Sequence, residues 1–342
     1  MRIQVLSDLH AEVDPEHAQR DVVDLGADLV ILAGDIDHGG AGVRWAADTW
    51  PDTPIVYVLG NHEHYGSMIE ATLDRARAAA AGKNVHVLER EAITIQGVRI
   101  LGATLWTDFR LSGDAAFAKA GLGQAFPDYQ AIEGAGGGRL RPAETEAIHN
   151  ETVRWIRDTL AESHDGPTIV VTHHAPSSRA LGQWDEWAGE SPWTVMDAAF
   201  ASDLELLIDL GKPDAWIHGH THRSSEYQVP DTHLEATRVI SNQRGYYQET
   251  SGWDPTYVLE LTTSPTLRER REQRARERRT TARACARTAL EMLAGHGIEA
   301  CVVGSLARGD FDLHSDVDFL VFSPITGGEQ LPARGGDRPL LR

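Results

Sequence analysis

Five short apolar runs, each ending abruptly in residues that bind metals, set the tightest limit on how this 342-residue chain can fold. Ile3–Leu6 leads into Asp8-Leu9-His10, and Leu29–Leu32 into Gly34-Asp35-Ile36-Asp37. Ile55–Leu59 leads into Gly60-Asn61-His62-Glu63, Thr168–Thr172 into His173-His174-Ala175-Pro176, and Ala215–His218 into Gly219-His220-Thr221-His222. Runs of β-branched and aliphatic residues bounded by turn formers read as strands. Any one of these ends, taken alone, reads as a polar turn with a structural His. Five in register make coincidence a poor explanation, because open α/β sheets place their sites at the carboxyl ends of strands.

Further strand runs at Val98–Leu101, Val239–Ser241 and Tyr257–Leu261 alternate with helical patterns at Met68–Ala81, Ala143–Ala161 and Leu204–Leu210. That alternation predicts an α/β domain. "GAGGG" at 134–138 reads as a surface loop. The composition then changes: nine arginines fall between Arg268 and Arg287, in what reads as an exposed helical connector. The domain boundary is placed near Thr263, giving residues 1–262 and 263–342.

Charge separates the two parts. The net charge is −19, and residues 1–267 carry −21 of it while the remainder is +2. A surface so acidic repels long polyanions, which argues against strong nucleic-acid binding by the first domain. Two cysteines, Cys285 and Cys301, make neither a disulfide framework nor a metal spacing. The opening "MRIQVLSDLH" is already a strand rather than a signal peptide, and no apolar run reaches membrane-span length, so a cytoplasmic protein is expected.

The residue types define the chemistry. Asp, Asn and His without Cys suit Mn, Fe or Zn, and Mn is the expected activator in vitro. The one-residue gaps in Asp8-x-His10 and His220-x-His222 place alternate side chains on one side of an extended segment. Gly34, Gly60 and Gly219 allow close backbone approach. The set is large enough for two metals sharing a bridging carboxylate, roughly 3.5–4 Å apart, an arrangement that clamps a phosphoryl group.

In this order, D-x-H, G-D, G-N-H-E, H and G-H-x-H resemble the calcineurin-like metallophosphoesterase family over residues 1–261. The resemblance implies two packed mixed β-sheets flanked by helices in a four-layer sandwich. It implies a first metal held by Asp8, His10, Asp35 and His222, and a second by Asp35, Asn61, His173 and His220, with Asp35 bridging. It further implies a phosphomonoesterase or phosphodiesterase in which a metal-bridging hydroxide attacks phosphorus and His62 faces the substrate, with Asp35 and His62 central to catalysis. His174 is expected to lie behind the ligands, and Glu63 and Asp37 either orient ligand histidines or lie at the surface. Trp106 and Asp108 either line the substrate cleft or, as the preferred reading, pack at a strand end; Trp184, Trp187 and Trp193 either roof the site or pack nearby.

In the second domain, "VVGSLARGDFDLHSDVDFLVF" reads as strand, Gly304-Ser305 turn, helix, and a strand bearing Asp316 and Asp318. Two carboxylates one residue apart suit a metal–nucleotide, and a Gly-Ser turn suits phosphate oxygens. The stretch resembles the minimal nucleotidyltransferase family. The Gly/Pro/Arg-rich tail after it supplies no strand for a third acidic ligand, so the module reads as incomplete, with weak metal–nucleotide binding at most. The competing function is a regulatory nucleotidyltransferase-like protein that binds or nucleotidylates a partner.

Overall fold

Strands that bury both faces need a layer on each side, and this requirement builds the sandwich. The computed structural model describes residues 1–16, 21–182, 194–230, 236–261, 267–308 and 317–322. In the first sheet, strands β1 (Arg2–Leu6), β2 (Leu29–Ala33), β3 (Ile55–Val58) and β4 (Val85–Val87) run parallel, and β11 (Val258–Glu260) pairs antiparallel with β1. The second sheet has the order β5 (Glu91–Ile95), β6 (Val98–Ala103), β7 (Thr168–Thr172), β8 (Ala215–Ile217), β10 (Thr237–Ser241) and β9 (Ser225–Val229). Its four inner strands are parallel and its two edges antiparallel.

Side chains along β2 show the layering. Leu29, Ile31 and Ala33 join Ile3, Val58, Ile100, Val171 and Ile217 in the core between the sheets. Val30 and Leu32 face the other way, into a core with Val43, Ala46 and Ala76 from the helices Ala41–Thr49 and Ile69–Ala80. On the outer face of the second sheet, Leu101, Val170 and Trp216 pack with Ile156 and Ile208 from the helices Pro142–Ala161 and Glu205–Gly211. Each such residue, fully withdrawn from water, contributes roughly 1.5–3 kcal/mol. The result is the expected four-layer α/β sandwich.

Three strands escape the sequence pattern. Strand β5 is partly exposed and forms a hairpin with β6 through Gln96 and Gly97, both left-handed, as a two-residue turn requires. Strand β9 is a polar edge, and β4 has only three residues. The helices Ala41–Thr49 and Ala115–Ala125 also lack a clear sequence signature.

The chain divides into two compact units, Met1–Ser264 and Pro265–Arg342. The second contains a helix, Leu267–Gly295, and an antiparallel pair, β12 (Glu299–Val303) and β13 (Asp318–Phe322). Among its described residues, Ala282, Ala286 and Leu306 are buried and apolar. Gly304 and Ser305 begin a short helix, Gly304–Arg308, directly after β12, instead of forming a separate turn.

Candidate metal centre

The loops leaving β1, β2 and β3 in one sheet and β7 and β8 in the other converge at one end of the sandwich. Five of the expected ligands sit there on left-handed backbone: Asp8, His10, Asp35, His220 and His222, with φ between 48° and 72°. Non-glycine residues pay roughly 1–2 kcal/mol for this conformation, and such strain concentrates at functional sites. The one-residue gaps therefore do not act through an extended segment, as expected from spacing alone. Both segments curl: Asp8 and His10 come together in one group of donor atoms, whereas His220 and His222 turn to different groups.

Three groups of ligand atoms form, with all atoms of a group within 4.8 Å of one another: Asp8, His10 and His222; His10, Asp35 and His62; Asp35, His173 and His220. His10 Nε2 lies 2.9 Å from His222 Nε2, and His222 Nε2 lies 3.6 Å from Asp8 Oδ1. His173 Nε2 is 3.3 Å from Asp35 Oδ2, 2.9 Å from Asn61 Oδ1 and 3.2 Å from His220 Nδ1. Ring nitrogens thus crowd around two buried carboxylates, a donor set that fits divalent cations. Asp8, His10, Asp35, Asn61, His173 and His220 are buried, whereas the side chains of His62 and His222 are 15% and 18% exposed. Access to the centre is from their side.

Small residues make this crowding possible. A β-carbon at Gly60 would collide with the Asp35 carboxylate, one at Gly34 with the His173 ring, and one at Gly219 would lie 2.7 Å from Asp8 Oδ2.

Carboxylates tie the loops together. Glu63, expected to orient histidines or face solvent, does neither. It is buried and accepts from the backbone N–H groups of Asp35 (3.0 Å), Ile36 (2.9 Å) and Gly60 (2.8 Å), and from the Tyr57 hydroxyl (2.8 Å). Asp128 accepts from Asn61 Nδ2 (2.8 Å) and the Tyr65 hydroxyl (2.7 Å), aiming the Asn61 carbonyl oxygen inward. Glu249 accepts from His222 Nδ1 (2.6 Å) and the Tyr246 N–H (2.9 Å). Glu12 accepts from the Nδ1 atoms of His10 and His62. Glu12, Asp128, Tyr246 and Glu249 were not legible as site residues; only Glu12, two residues past His10, lies near a motif. Asp37 is half-buried and accepts from the His38 N–H.

The field of the site favours positive charge. Burial opposes charging His173, but the neighbouring Asp35 carboxylate prevails and pushes its pKa up to about 10. Burial likewise opposes the His62 imidazolium, while Asp35 and Glu12 raise it to about 9. Asp35, despite its burial, is held well below the usual carboxylate range by His173, His62 and His10. His174 and His220 are lowered, first by burial and then by neighbouring histidines. The same anionic field would draw a cation, which displaces protons from the imidazoles it binds.

His174 is buried behind the candidate ligands, with its Nδ1 against the Thr104 carbonyl and its ring 5.1 Å from Trp106. Trp106 is buried and packs in a cluster with Phe109 and Tyr129, and Asp108 accepts from Ser202 Oγ. Trp184, Trp187, Trp193 and Asp316 lie outside the described residues. In the second unit, Asp318 faces Gly304, where an added β-carbon would strike its carboxylate, and Ser305 follows in the short helix.

A metal-ligand cluster at the carboxyl ends of two packed sheets defines a metal-dependent phosphoester hydrolase. The chain belongs to the calcineurin-like phosphoesterase family, whose sequence profile matches residues 1–224. Residues 285–334 match the nucleotidyltransferase domain. Among solved structures, it is similar to the phosphopantetheinyl hydrolase of Mycobacterium tuberculosis at 16% identity and a TM-score of 0.55, covering 75% of this chain and 98% of that one. A dimetal phosphatase from Danio rerio matches at 13% identity and a TM-score of 0.38, covering 70% and 86%. A hypothetical protein from Thermus thermophilus matches at 14% identity and a TM-score of 0.35, covering 74% and 80%. No curated protein matches the chain. No helix among the described residues is long and apolar enough to cross a membrane.

Proposed function

We propose that residues 1–262 form a dimetal phosphoesterase acting on a phosphomonoester or phosphodiester. Asp8, His10, Asp35 and His222 hold one cation, and Asp35, Asn61, His173 and His220 hold the other, with Asp35 shared. The observation that carries this reading is the facing of nitrogens from both sheets across Asp35, whose Oδ2 is 3.3 Å from His173 Nε2 and 4.0 Å from His10 Nε2. Two divalent cations there supply an ionised water at neutral pH and offset charge on the phosphoryl oxygens. Mn is the proposed activator in vitro, since every ligand is O or N.

The chain's own residues do the rest. His62 faces the opening, with its ring stacked on Tyr65 at 4.4 Å and its Nε2 3.4 Å from the Tyr246 hydroxyl. From there its Nε2–H donates to a phosphoryl oxygen or to the leaving oxygen. Tyr246 also borders an open cleft of about 410 Å³ walled by Tyr247, Glu249 and Trp253. Residues 263–342 form a separate nucleotidyltransferase-like module in which Gly304, Ser305, Asp316 and Asp318 bind a metal–nucleotide weakly.

Metal-stripped protein, reconstituted with Mn²⁺ and screened against mono-, di- and cyclic phosphate esters and nucleotides, tests the reading; the neighbour's name adds a phosphopantetheinyl ester to the screen. Turnover that returns with about two ions per chain and disappears in Asp35→Asn is expected. Full activity in the stripped protein, or in that variant, would refute it.

A further inference from the structure

We infer that Glu12 is a positioning residue shared by two rings with different tasks, the metal ligand His10 and the substrate-facing His62. The inference rests on the site assignment proposed above. A single carboxylate oxygen, Glu12 Oε1, accepts from His10 Nδ1 at 2.9 Å and from His62 Nδ1 at 3.0 Å. The two rings meet edge to face, with centroids 4.5 Å apart. With both Nδ1 atoms turned to Glu12, both Nε2 atoms turn the opposite way, and each lies 4.0 Å from the same oxygen, Asp35 Oδ2.

This geometry fixes tautomers as well as directions. An imidazole that donates its Nδ1–H to a carboxylate presents Nε2 to whatever lies on its other side. For His10 that means a lone pair aimed at a cation beside Asp35. For His62 it means that Nε2, the atom near the Tyr246 hydroxyl, is the one that meets substrate. Two of the other proposed ligand rings have separate supports: His222 uses Glu249, and His173 uses the Ala33 carbonyl at 2.8 Å. Glu12 alone among the described residues accepts hydrogen bonds from the rings of both a proposed ligand and the substrate-facing His.

Among the described residues, no other side chain hydrogen-bonds to this carboxylate. Its side chain is 5% exposed, and its Oε2 is buried with no hydrogen-bond partner among the described residues. Buried carboxylates are normally hydrogen-bonded, and this one meets that need through the two rings. Sharing has a mechanical consequence: neither ring can rotate without disturbing the oxygen that holds the other. Glu12 therefore sets how the two Nε2 atoms stand relative to each other and to Asp35 Oδ2.

Glu12→Ala, Glu12→Gln and His62→Ala separate the alternatives. In metal-free protein, nitrogen-resolved NMR of the histidine rings should show Nδ1-protonated signals for His10 and His62 that are lost together in Glu12→Ala. Calorimetric titration with Mn²⁺ should show affinity lowered roughly 10–100-fold in Glu12→Ala, with Glu12→Gln falling between it and wild type because one acceptor oxygen remains. At saturating Mn²⁺, kcat should still fall roughly 10–100-fold with KM unchanged. Combined with His62→Ala, the Glu12→Ala effect on kcat should shrink to within about threefold, since part of it acts through that ring. Wild-type Mn²⁺ affinity in Glu12→Ala, or full multiplication of the two kcat effects, would overturn the shared role. Wild-type protein that takes up no Mn²⁺ would overturn the site assignment itself, and the inference with it.

Discussion

Replacing Gly60 by Ala tests the packing on which the centre depends. The added β-carbon would lie 2.6 Å from the Asp35 backbone nitrogen and 2.8 Å from its Cγ, and would collide with its Oδ1. Ordinary contact begins at 3.4 Å, so the loops after β2 and β3 must separate by about 0.8 Å. Glycine at 60 does not adopt left-handed backbone, so the cost is steric rather than conformational. Overpacking of this kind destabilises by roughly 1–3 kcal/mol. It also shifts a carboxylate whose metal distances tolerate only about ±0.2 Å. The His62 N–H bond to Asp35 Oδ1, at 2.9 Å, would be strained together with them. Urea unfolding of metal-free protein measures the first effect, and Mn²⁺ calorimetry on the same sample measures the second, expected to be at least tenfold. Gly66→Ala is the control: its backbone is left-handed but no atom lies within 4 Å of the added carbon, so only a modest stability loss of about 1 kcal/mol is expected. Gly60→Ala with unaltered Mn²⁺ affinity would show that the centre does not depend on this close approach.

His62→Ala should lower turnover by roughly 10²–10⁴ while metal content stays near two ions per chain; loss of an ion would make His62 a ligand. Asp128→Ala frees the Asn61 amide to turn, and should weaken Mn²⁺ binding roughly 10–100-fold by calorimetry. His64 gives a pH test, because burial lowers its pKa to about 3 and neither ring nitrogen has a hydrogen-bond partner among the described residues. Below the ordinary His value of about 6.5 the unfolded chain binds a proton that the folded one refuses, so stability falls with acid. His64→Leu should therefore be close to wild type at pH 7.5 and about 2 kcal/mol more stable than wild type at pH 5, read by urea unfolding of metal-free protein. His62 and His173, whose pKa values are raised, act in the opposite direction, but equally in both proteins. A pH-independent difference would refute the assignment of His64 as a buried neutral ring.

The strands that reach the site were legible because both their cause and their signal are local. A run such as Leu29–Ala33 must bury every residue, and the glycine and acid that follow it must turn. The residues proposed as ligands, Asp8, His10, Asp35, Asn61, His173, His220 and His222, drew attention for a similar reason: each stands within four residues of the end of an apolar run. What lay beyond the sequence depends on contacts between distant segments. Edge strands β5 and β9 carry weak patterns because only one face is buried. The left-handed backbone at five of the proposed ligands is strain that a propensity argument rejects and that only surrounding packing sustains. The supporting carboxylates were hidden most completely. Asp128 is 67 residues from Asn61, and Glu249 is 27 residues from His222. Glu12 stands two residues from His10 but 50 from His62, so its double hydrogen bond exists only once β1 and β3 lie in one sheet. The order of residues along the chain dictates which chemical groups stand at the ends of the strands. Which carboxylate holds which ring is settled by folding alone, because hydrogen-bond partners are chosen by proximity in space, and spacing along the chain carries no record of it.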